Sequence, residues 1–414
     1  MRVPEFVEMK VNERKDIAIR NLVKLIEIPT QNPPGEAYGE LVEFVEEYLS
    51  EQGVKVEVFR VPDDYASRFY GYDPKYPRYI LIARVGNGQE VLHLNGHYDV
   101  VPPGTGWTTN PFKPVIIEDK LYGRGASDMK SGVTSIVETI VLLKEFEEKL
   151  NYTVTLSLVP DEETTSMGTK YILERRLTGA EYAIIAEPTS LKHIDIGCKG
   201  GVWLLVCVEG VQAHASRPWL GENAFEKAVM LASDILRELK PKITARASTA
   251  PFADEKSRKA TIELGGYVRG GSKSNTVPAE FCFAIDRRIL PEEDPEKALE
   301  EILSFLEQSA SKHGAKYKIS VEDIEKPYLL REGMEFAELL ARITEAAIGH
   351  LPTVSVKTGF TEMALFGNAG IKAITFGPGN EEVAHVANEY VSLKEVINAI
   401  KIYTALALKL AARD

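Results

Sequence analysis

Five short stretches carry side chains able to do chemistry, and each follows an apolar run or sits in a polar loop. Val159-Pro160-Asp161-Glu162-Glu163-Thr164 sets three carboxylates side by side. Adjacent carboxylates repel one another unless a cation neutralises them or one keeps a proton; a solvated loop is the alternative. Ile184-Ile185-Ala186-Glu187-Pro188 again ends an apolar run in a carboxylate, and the proline restricts Glu187 to an extended conformation. In Leu92-His93-Leu94-Asn95-Gly96-His97-Tyr98-Asp99, His97 and Asp99 stand two apart. That spacing suits a metal-binding imidazole whose second nitrogen is held by a carboxylate, and equally a core histidine capped by an aspartate. Gly123-Arg124-Gly125-Ala126-Ser127-Asp128-Met129-Lys130 brings Asp128 to the mouth of a helix, as a ligand or as an N-cap. Near the C-terminus, Glu382-Val383-Ala384-His385-Val386-Ala387-Asn388-Glu389 sets a second histidine among loop carboxylates.

Together these stretches offer two imidazoles and at least four carboxylates. A mixed nitrogen and oxygen donor set suits zinc, with cobalt and manganese as alternatives, and two such ions need a carboxylate shared between them. A pair of cations about 3.5–4 Å apart is a hydrolytic device. It needs one further carboxylate, free of metal, to shuttle a proton. The glycine spacing around Arg124 is not the dinucleotide fingerprint, and no Walker lysine follows it.

The elements that must position these groups alternate. Apolar spacing predicts helices from about 12 to 28 and 38 to 52, then strands at 54–61, 79–85 and 90–94. A helix at 133–150, a strand at 153–159, a helix at 167–176 and a strand at 182–186 follow. Such alternation implies an α/β domain with a mixed, largely parallel sheet flanked by helices. Ligands in such sheets gather at the carboxyl ends of the strands. After Gly200-Gly201 the order becomes strand, helix, strand, strand, helix, strand up to Val321, that of a ferredoxin-like α+β unit. The expected organisation is therefore residues 1–199 and 324–414 as one metal-binding α/β domain, interrupted by a small domain at 200–323. The loop at 62–79 is long and aromatic, with Tyr65, Phe69, Tyr70, Tyr72 and Tyr76. It either lines an entrance or packs on the surface.

Length and composition agree with two or three folded domains: 414 residues, 44% hydrophobic and 27% charged. A formal charge of −12 argues against a nucleic-acid partner. No apolar run approaches the roughly 18 residues of a membrane helix, and the first residues lack the apolar core of a secretion signal. The three cysteines, Cys198, Cys207 and Cys282, are odd in number and far apart, and are expected to be reduced core residues. A cytoplasmic location follows from these three readings.

Taken in order, the motifs resemble the dizinc amidohydrolases that include succinyl-diaminopimelate desuccinylase, acetylornithine deacetylase, aminoacylase and glutamate carboxypeptidase. The markers are His-Tyr-Asp-Val-Val-Pro at 97–102, Gly-Arg-Gly-Ala-Ser-Asp-Met-Lys at 123–130, Asp-Glu-Glu at 161–163, Glu-Pro at 187–188 and His385. Each is weak alone; five in this order make a specific signal, and the likeness runs from about Lys15 to the C-terminus. The resemblance implies that His97 and Glu187 hold one metal, Glu163 and His385 the other, and that Asp128 bridges them. It implies that Asp99 orients His97 and that Glu162 is the general base. It also implies that 200–323 is a lid through which the protein forms a homodimer. There His214 would help polarise the scissile carbonyl, while Asn275 and Arg288 would meet the substrate carboxylate. Arginine suits that task because its planar fork binds a carboxylate bidentately.

Gly377, in Phe376-Gly377-Pro378-Gly379-Asn380, fits the family's glycine loop beside the substrate. Gly359-Phe360-Thr361-Glu362-Met363-Ala364 departs from the family: Gly359 and Thr361 fit its pattern near the substrate, but the arginine found there in relatives is missing. The implied substrate is a small N-acyl amino acid or short peptide. Deacylation is favoured because Glu187 stands where several peptidase branches have aspartate; a carboxypeptidase or dipeptidase with the same site is the rival. A catalytically dead binding or scaffold protein would have lost a ligand or the base, and every such position is filled here.

Overall fold

The computed structural model describes residues 3–411. The chain divides into two compact units, one of residues 1–196, 330–354 and 365–414, the other of 197–329 and 355–364. The expected boundaries at 200 and 323 fall a few residues inside those of the second unit. The short stretch 355–364, assigned from sequence to the first domain, packs with the second unit.

In the first unit a mixed sheet forms the centre, with helices packed on it. Its strands run in the order Lys55–Arg60, Tyr79–Val85, Thr153–Val159, Val91–His97, Tyr182–Ile185, Lys372–Thr375 and His193–Cys198. The four central strands, from Thr153–Val159 to Lys372–Thr375, are mutually parallel. Strands Val91–His97 and Thr153–Val159 are buried throughout, which is why they read as apolar runs with little alternation. His93, in the same strand as His97, lies wholly in the interior. Its ring nitrogens meet the hydroxyls of Thr155 at 2.8 Å and Ser157 at 2.9 Å, and burial lowers its pKa to about 3. His93 is a neutral core residue.

The helix Lys130–Glu145 is buried over its first 14 residues. It carries Glu138 in the interior, where Arg14, Asn21 and Tyr48 all donate to the carboxylate. Such a charge is tolerable only because it is paired and hydrogen-bonded. Helices Glu5–Glu27 and Leu393–Ala411 pack against this one. The N-terminal helix starts at Glu5, seven residues before the sequence pattern shows it, because Val7 and Val11 continue the buried stripe. The aromatic loop packs down instead of standing free: Tyr65 is buried edge-on against Tyr171, with ring centroids 4.9 Å apart, and only Tyr70 projects fully into solvent.

The second unit is built on a four-stranded antiparallel sheet in the order Thr261–Gly270, Glu280–Ile289, Gly200–Glu209, Lys316–Glu325. Helices Ala224–Asp234 and Pro295–His313 cover one face through Leu231, Ile302 and Leu306. This is the ferredoxin-like arrangement read from the sequence.

One expectation is corrected. Cys207 and Cys282 form a disulfide, and Cys198 alone stays reduced and buried. The two cysteines are 75 residues apart in sequence but face each other in the register of neighbouring strands, with Cα atoms 4.0 Å apart. Sequence spacing cannot reveal a pair that exists only through strand register. One ground for a cytoplasmic location is thereby removed. Among the described residues, no helix is long and apolar enough to cross a membrane.

Candidate metal centre

The site forms at the carboxyl ends of the parallel strands. His97 is the last residue of its strand. The neighbouring parallel strand pairs Ile185 with Asn95, so Glu187, two residues on, reaches the same level as His97. The turn carrying Glu187 is pressed from two sides. A Cβ on Gly132 would stand 2.0 Å from the Ala186 carbonyl oxygen, and one on Gly377 would stand 2.4 Å from it. No other residue fits at either position.

Four candidate ligands meet. Donor atoms of His97, Asp128 and Glu163 all lie within 4.8 Å of one another. His97 Nε2 is 3.1 Å from Asp128 Oδ1. His385 Nε2 is 3.3 Å from Asp128 Oδ2 and 3.0 Å from Glu163 Oε2. Asp128 therefore touches both imidazoles, one with each oxygen. Glu162 approaches the cluster from beside Glu163, its Oε2 3.9 Å from His97 Nε2.

Asp99 stands beside His97 and also supports the acidic turn. His97 Nδ1 lies 3.0 Å from the backbone carbonyl of Asp99 and 3.5 Å from its carboxylate. The Asp99 carboxylate works mainly on the acidic turn: it accepts from the backbone N–H of Glu162 and of Glu163, each at 3.2 Å, and from Asn32 Nδ2 at 3.0 Å. Asp161 opens that turn in the left-handed region, with φ 64°, a conformation that costs free energy unless its surroundings fix it. They do. Arg78 Nε donates to Asp161 at 2.7 Å, Tyr38 Oη at 2.9 Å and Asn32 Nδ2 at 3.1 Å. Neither Arg78 nor Asn32 stood out in the sequence; both read as loop residues.

Glu389 closes the 382–389 stretch and gives no sign of its role in the sequence. It is fully buried, and its carboxylate accepts from Arg124 Nη1 at 2.6 Å, Ser127 N at 2.8 Å, Gly125 N at 3.0 Å and Asp128 N at 3.0 Å. Lys130, also buried, donates to the carbonyls of Leu25 and Ile28 and so closes the end of the N-terminal helix.

Electrostatics fit a cation at the centre. Burial pushes the Glu163 carboxyl up to about 7. Hydrogen bonds to Asp128 and Glu163 push His385 up to about 10. Burial opposes a charge on His97, but Asp128, Asp99 and Glu162 outweigh it and raise its pKa well above the usual value. Burial would likewise raise Asp128, yet the two imidazoles hold it below the carboxylate range. The carboxylates thus recruit protons onto both imidazoles. The same nitrogen and oxygen donors, freed of those protons, make the mixed set that holds a zinc-like ion.

In the second unit, His214 and Asn275 are neighbours: residues 213–214 pair with 276–277, and Ala215 N donates to Asn275 O at 2.9 Å. The His214 ring is exposed and accepts from Ser216 N. Arg288 is engaged by Asp286, with contacts of 2.9 and 3.0 Å, and lies over the Trp203 ring. Gly359 faces open space.

A parallel-centred sheet with clustered imidazole and carboxylate donors at its strand ends defines the class: a metal-dependent hydrolase of amide bonds. The chain belongs to peptidase family M20/M25/M40, whose pattern matches residues 93–409. It is similar to the succinyl-diaminopimelate desuccinylase of a Nitratiruptor species, 29% identical over 381 residues, 90% of this chain and 94% of that one. Its fold is similar to human carnosine dipeptidase 1, at TM-score 0.78 and 17% identity over 99% of both chains. It is likewise similar to an M20 family metallo-carboxypeptidase from Sulfolobus solfataricus, at TM-score 0.75 and 20% identity over 95% of this chain and 99% of that one.

Proposed function

We propose that the protein is a dinuclear, zinc-dependent deacylase of N-acyl amino acids, of the desuccinylase type. The observation that carries the reading is the convergence of His97, Asp128, Glu163 and His385. In this reading His97 and Glu187 would hold one ion and Glu163 and His385 the other, with Asp128 available to both. The bound cations supply Lewis-acid polarisation of the scissile carbonyl and acidify a water molecule. Glu162 would accept a proton from the attacking water and pass it to the leaving amine; its backbone, tied to Asp99, keeps it at the cluster's edge. His214, Asn275 and Arg288 are the second unit's candidates for the carbonyl oxygen and the substrate carboxylate; Gly359, and Gly377 in the first unit, are the candidates for close backbone approach.

The succinyl group is favoured by the desuccinylase similarity, which spans nearly the whole chain. Initial rates on N-succinyl-diaminopimelate, N-acetyl-ornithine and blocked dipeptides test the choice. The expected result is kcat/KM at least tenfold higher on the succinyl or acetyl substrates. A dipeptide as the best substrate would replace this reading with the peptidase one. Pretreatment with a chelator should abolish every rate, and zinc or cobalt should restore it.

A homodimer through the second unit belongs to the same proposal. Helix Ala224–Asp234 exposes Phe225, Val229 and Met230, and the edge strand Thr261–Gly270 exposes Tyr267 and Val268. An exposed apolar helix face and an unpaired sheet edge in the same unit both need a cover. Sedimentation at micromolar concentration is expected to give a dimer, and Val229→Asp a monomer. A fully active wild-type monomer would remove the dimer from the mechanism.

A further inference from the structure

Asp128 and His385 touch, yet they come from distant parts of the chain, and neither is fixed by regular structure. Asp128 sits in the turn before helix Lys130–Glu145. His385 follows a single helical turn, has φ 61° and is half exposed. Two side chains tie the segments together: Ser127 Oγ donates to Asn380 O at 2.9 Å and accepts from Asn380 N at 2.8 Å, and Glu389 reaches across from the His385 segment. Glu389, four residues after His385, is wrapped by the 123–128 segment. Its Oε1 accepts from Ser127 N and Asp128 N, its Oε2 from Gly125 N and Arg124 Nη1, and its own carbonyl from Gly123 N at 3.0 Å. Successive backbone N–H groups curled around a carboxylate form an anion nest, here filled from within the chain. The short link from His385 to Glu389 is pinned as well: Asn388 Oδ1 accepts from Thr108 N at 2.9 Å and Thr108 Oγ1 at 2.8 Å.

We infer that Glu389 is a positioning residue that sets the spacing of Asp128 and His385 and thereby the affinity for metal. The inference rests on the metal-hydrolase reading. Glu389 reaches no substrate and moves no proton; it acts by holding the backbone from which both ligands project. Its carboxylate cannot be replaced by an amide, because each oxygen faces two N–H donors. Whichever way a glutamine is turned, its NH₂ opposes two of them and pushes one segment away. Partners that orient ligands from outside the coordination sphere are typically worth about 10–100-fold in metal affinity or activity.

The test is zinc binding to the metal-free, full-length protein, measured by competition with a chromophoric chelator. Glu389→Gln is expected to weaken binding of at least one zinc by about 10–100-fold. Its kcat should fall at limiting zinc and recover in excess zinc, with KM unchanged. A folded E389Q protein that binds zinc as tightly as wild type overturns the inference. So does one that only melts earlier in the metal-free state with zinc affinity intact, since that is a structural role alone. If E389Q does not fold, Glu389→Asp keeps the charge but shortens the reach; it is expected to lose zinc affinity too, and unchanged affinity there overturns the inference equally. A wild-type protein that binds no stoichiometric zinc sinks the underlying metal reading instead, before Glu389 is in question.

Discussion

Replacing Glu162 by glutamine is expected to leave the protein folded and able to take up metal while turnover falls by about 10²–10⁴-fold, the span typical of a lost general base. The two acidic neighbours have different surroundings. Glu163 is nearly inaccessible and meets His385 at 3.0 Å, as a ligand should. Glu162 is more open, and its closest imidazole contact among the cluster's ion pairs is 3.9 Å, from His97. Both take their backbone direction from Asp99, so the substitution leaves the turn in place. Glutamine keeps the shape but cannot take a proton from water. The loss should therefore lie in kcat, with KM and metal stoichiometry close to wild type. Rates within threefold of wild type would remove Glu162 from proton transfer, whereas a parallel loss of metal would make it a ligand.

The second large effect falls on stability. Arg78→Met leaves Asp161 as a buried charge without its cation, a change that typically costs about 3–5 kcal/mol. Both side chains of the pair are almost inaccessible, so solvent screening does not weaken the argument. Tyr38 and Asn32 still donate to Asp161, which points to the lower end of that range. The pH dependence has a definite sign. Asp161 is raised to about 6 even beside Arg78, by burial first and then by the charge of Asp99. Without the guanidinium its carboxyl moves higher still. A group whose folded pKa exceeds its unfolded one favours the folded state at low pH and loses that contribution as pH rises. The deficit of Arg78→Met should thus be smaller at pH 5 than at pH 8 in urea unfolding of the metal-free protein. Arg78→Met combined with Asp161→Asn should recover much of it. An equal deficit at both pH values would show that charge burial is not its source.

The cluster itself was legible because its members are chemically conspicuous: carboxylates and imidazoles following apolar strands, which solvent alone does not explain. What holds the cluster was not. Arg78 lies in an aromatic loop, and Asn32 in a proline-rich turn, where polar residues are ordinary. Their partners lie 83 and 129 residues away, and no local pattern reports such pairings. Glu389 was hidden differently, since one glutamate among several acidic residues gives no sign that four donors surround it. The second unit's strand and helix order was readable from period alone, but the pairing of Cys207 with Cys282 depends on strand register, which the pattern leaves open. The first helix begins before its pattern is readable because Phe6 and Met9, both exposed, blur the apolar face that Val7 and Val11 bury.

The parts of the centre are scattered along the chain: His97 and Asp128 in the first third, the acidic turn and Glu187 before the midpoint, His385 and Glu389 close to the end of 414 residues. During synthesis the strands and the buried helix can collapse first, while the last ligand is still unmade. Contacts this distant in sequence form late, and domains assemble as their chain emerges. On the proposed reading, hydrolytic competence therefore waits for His385 and Glu389, the last parts of the centre to be made. On that reading, a chain stopped short of His385 would carry much of the framework without the complete centre.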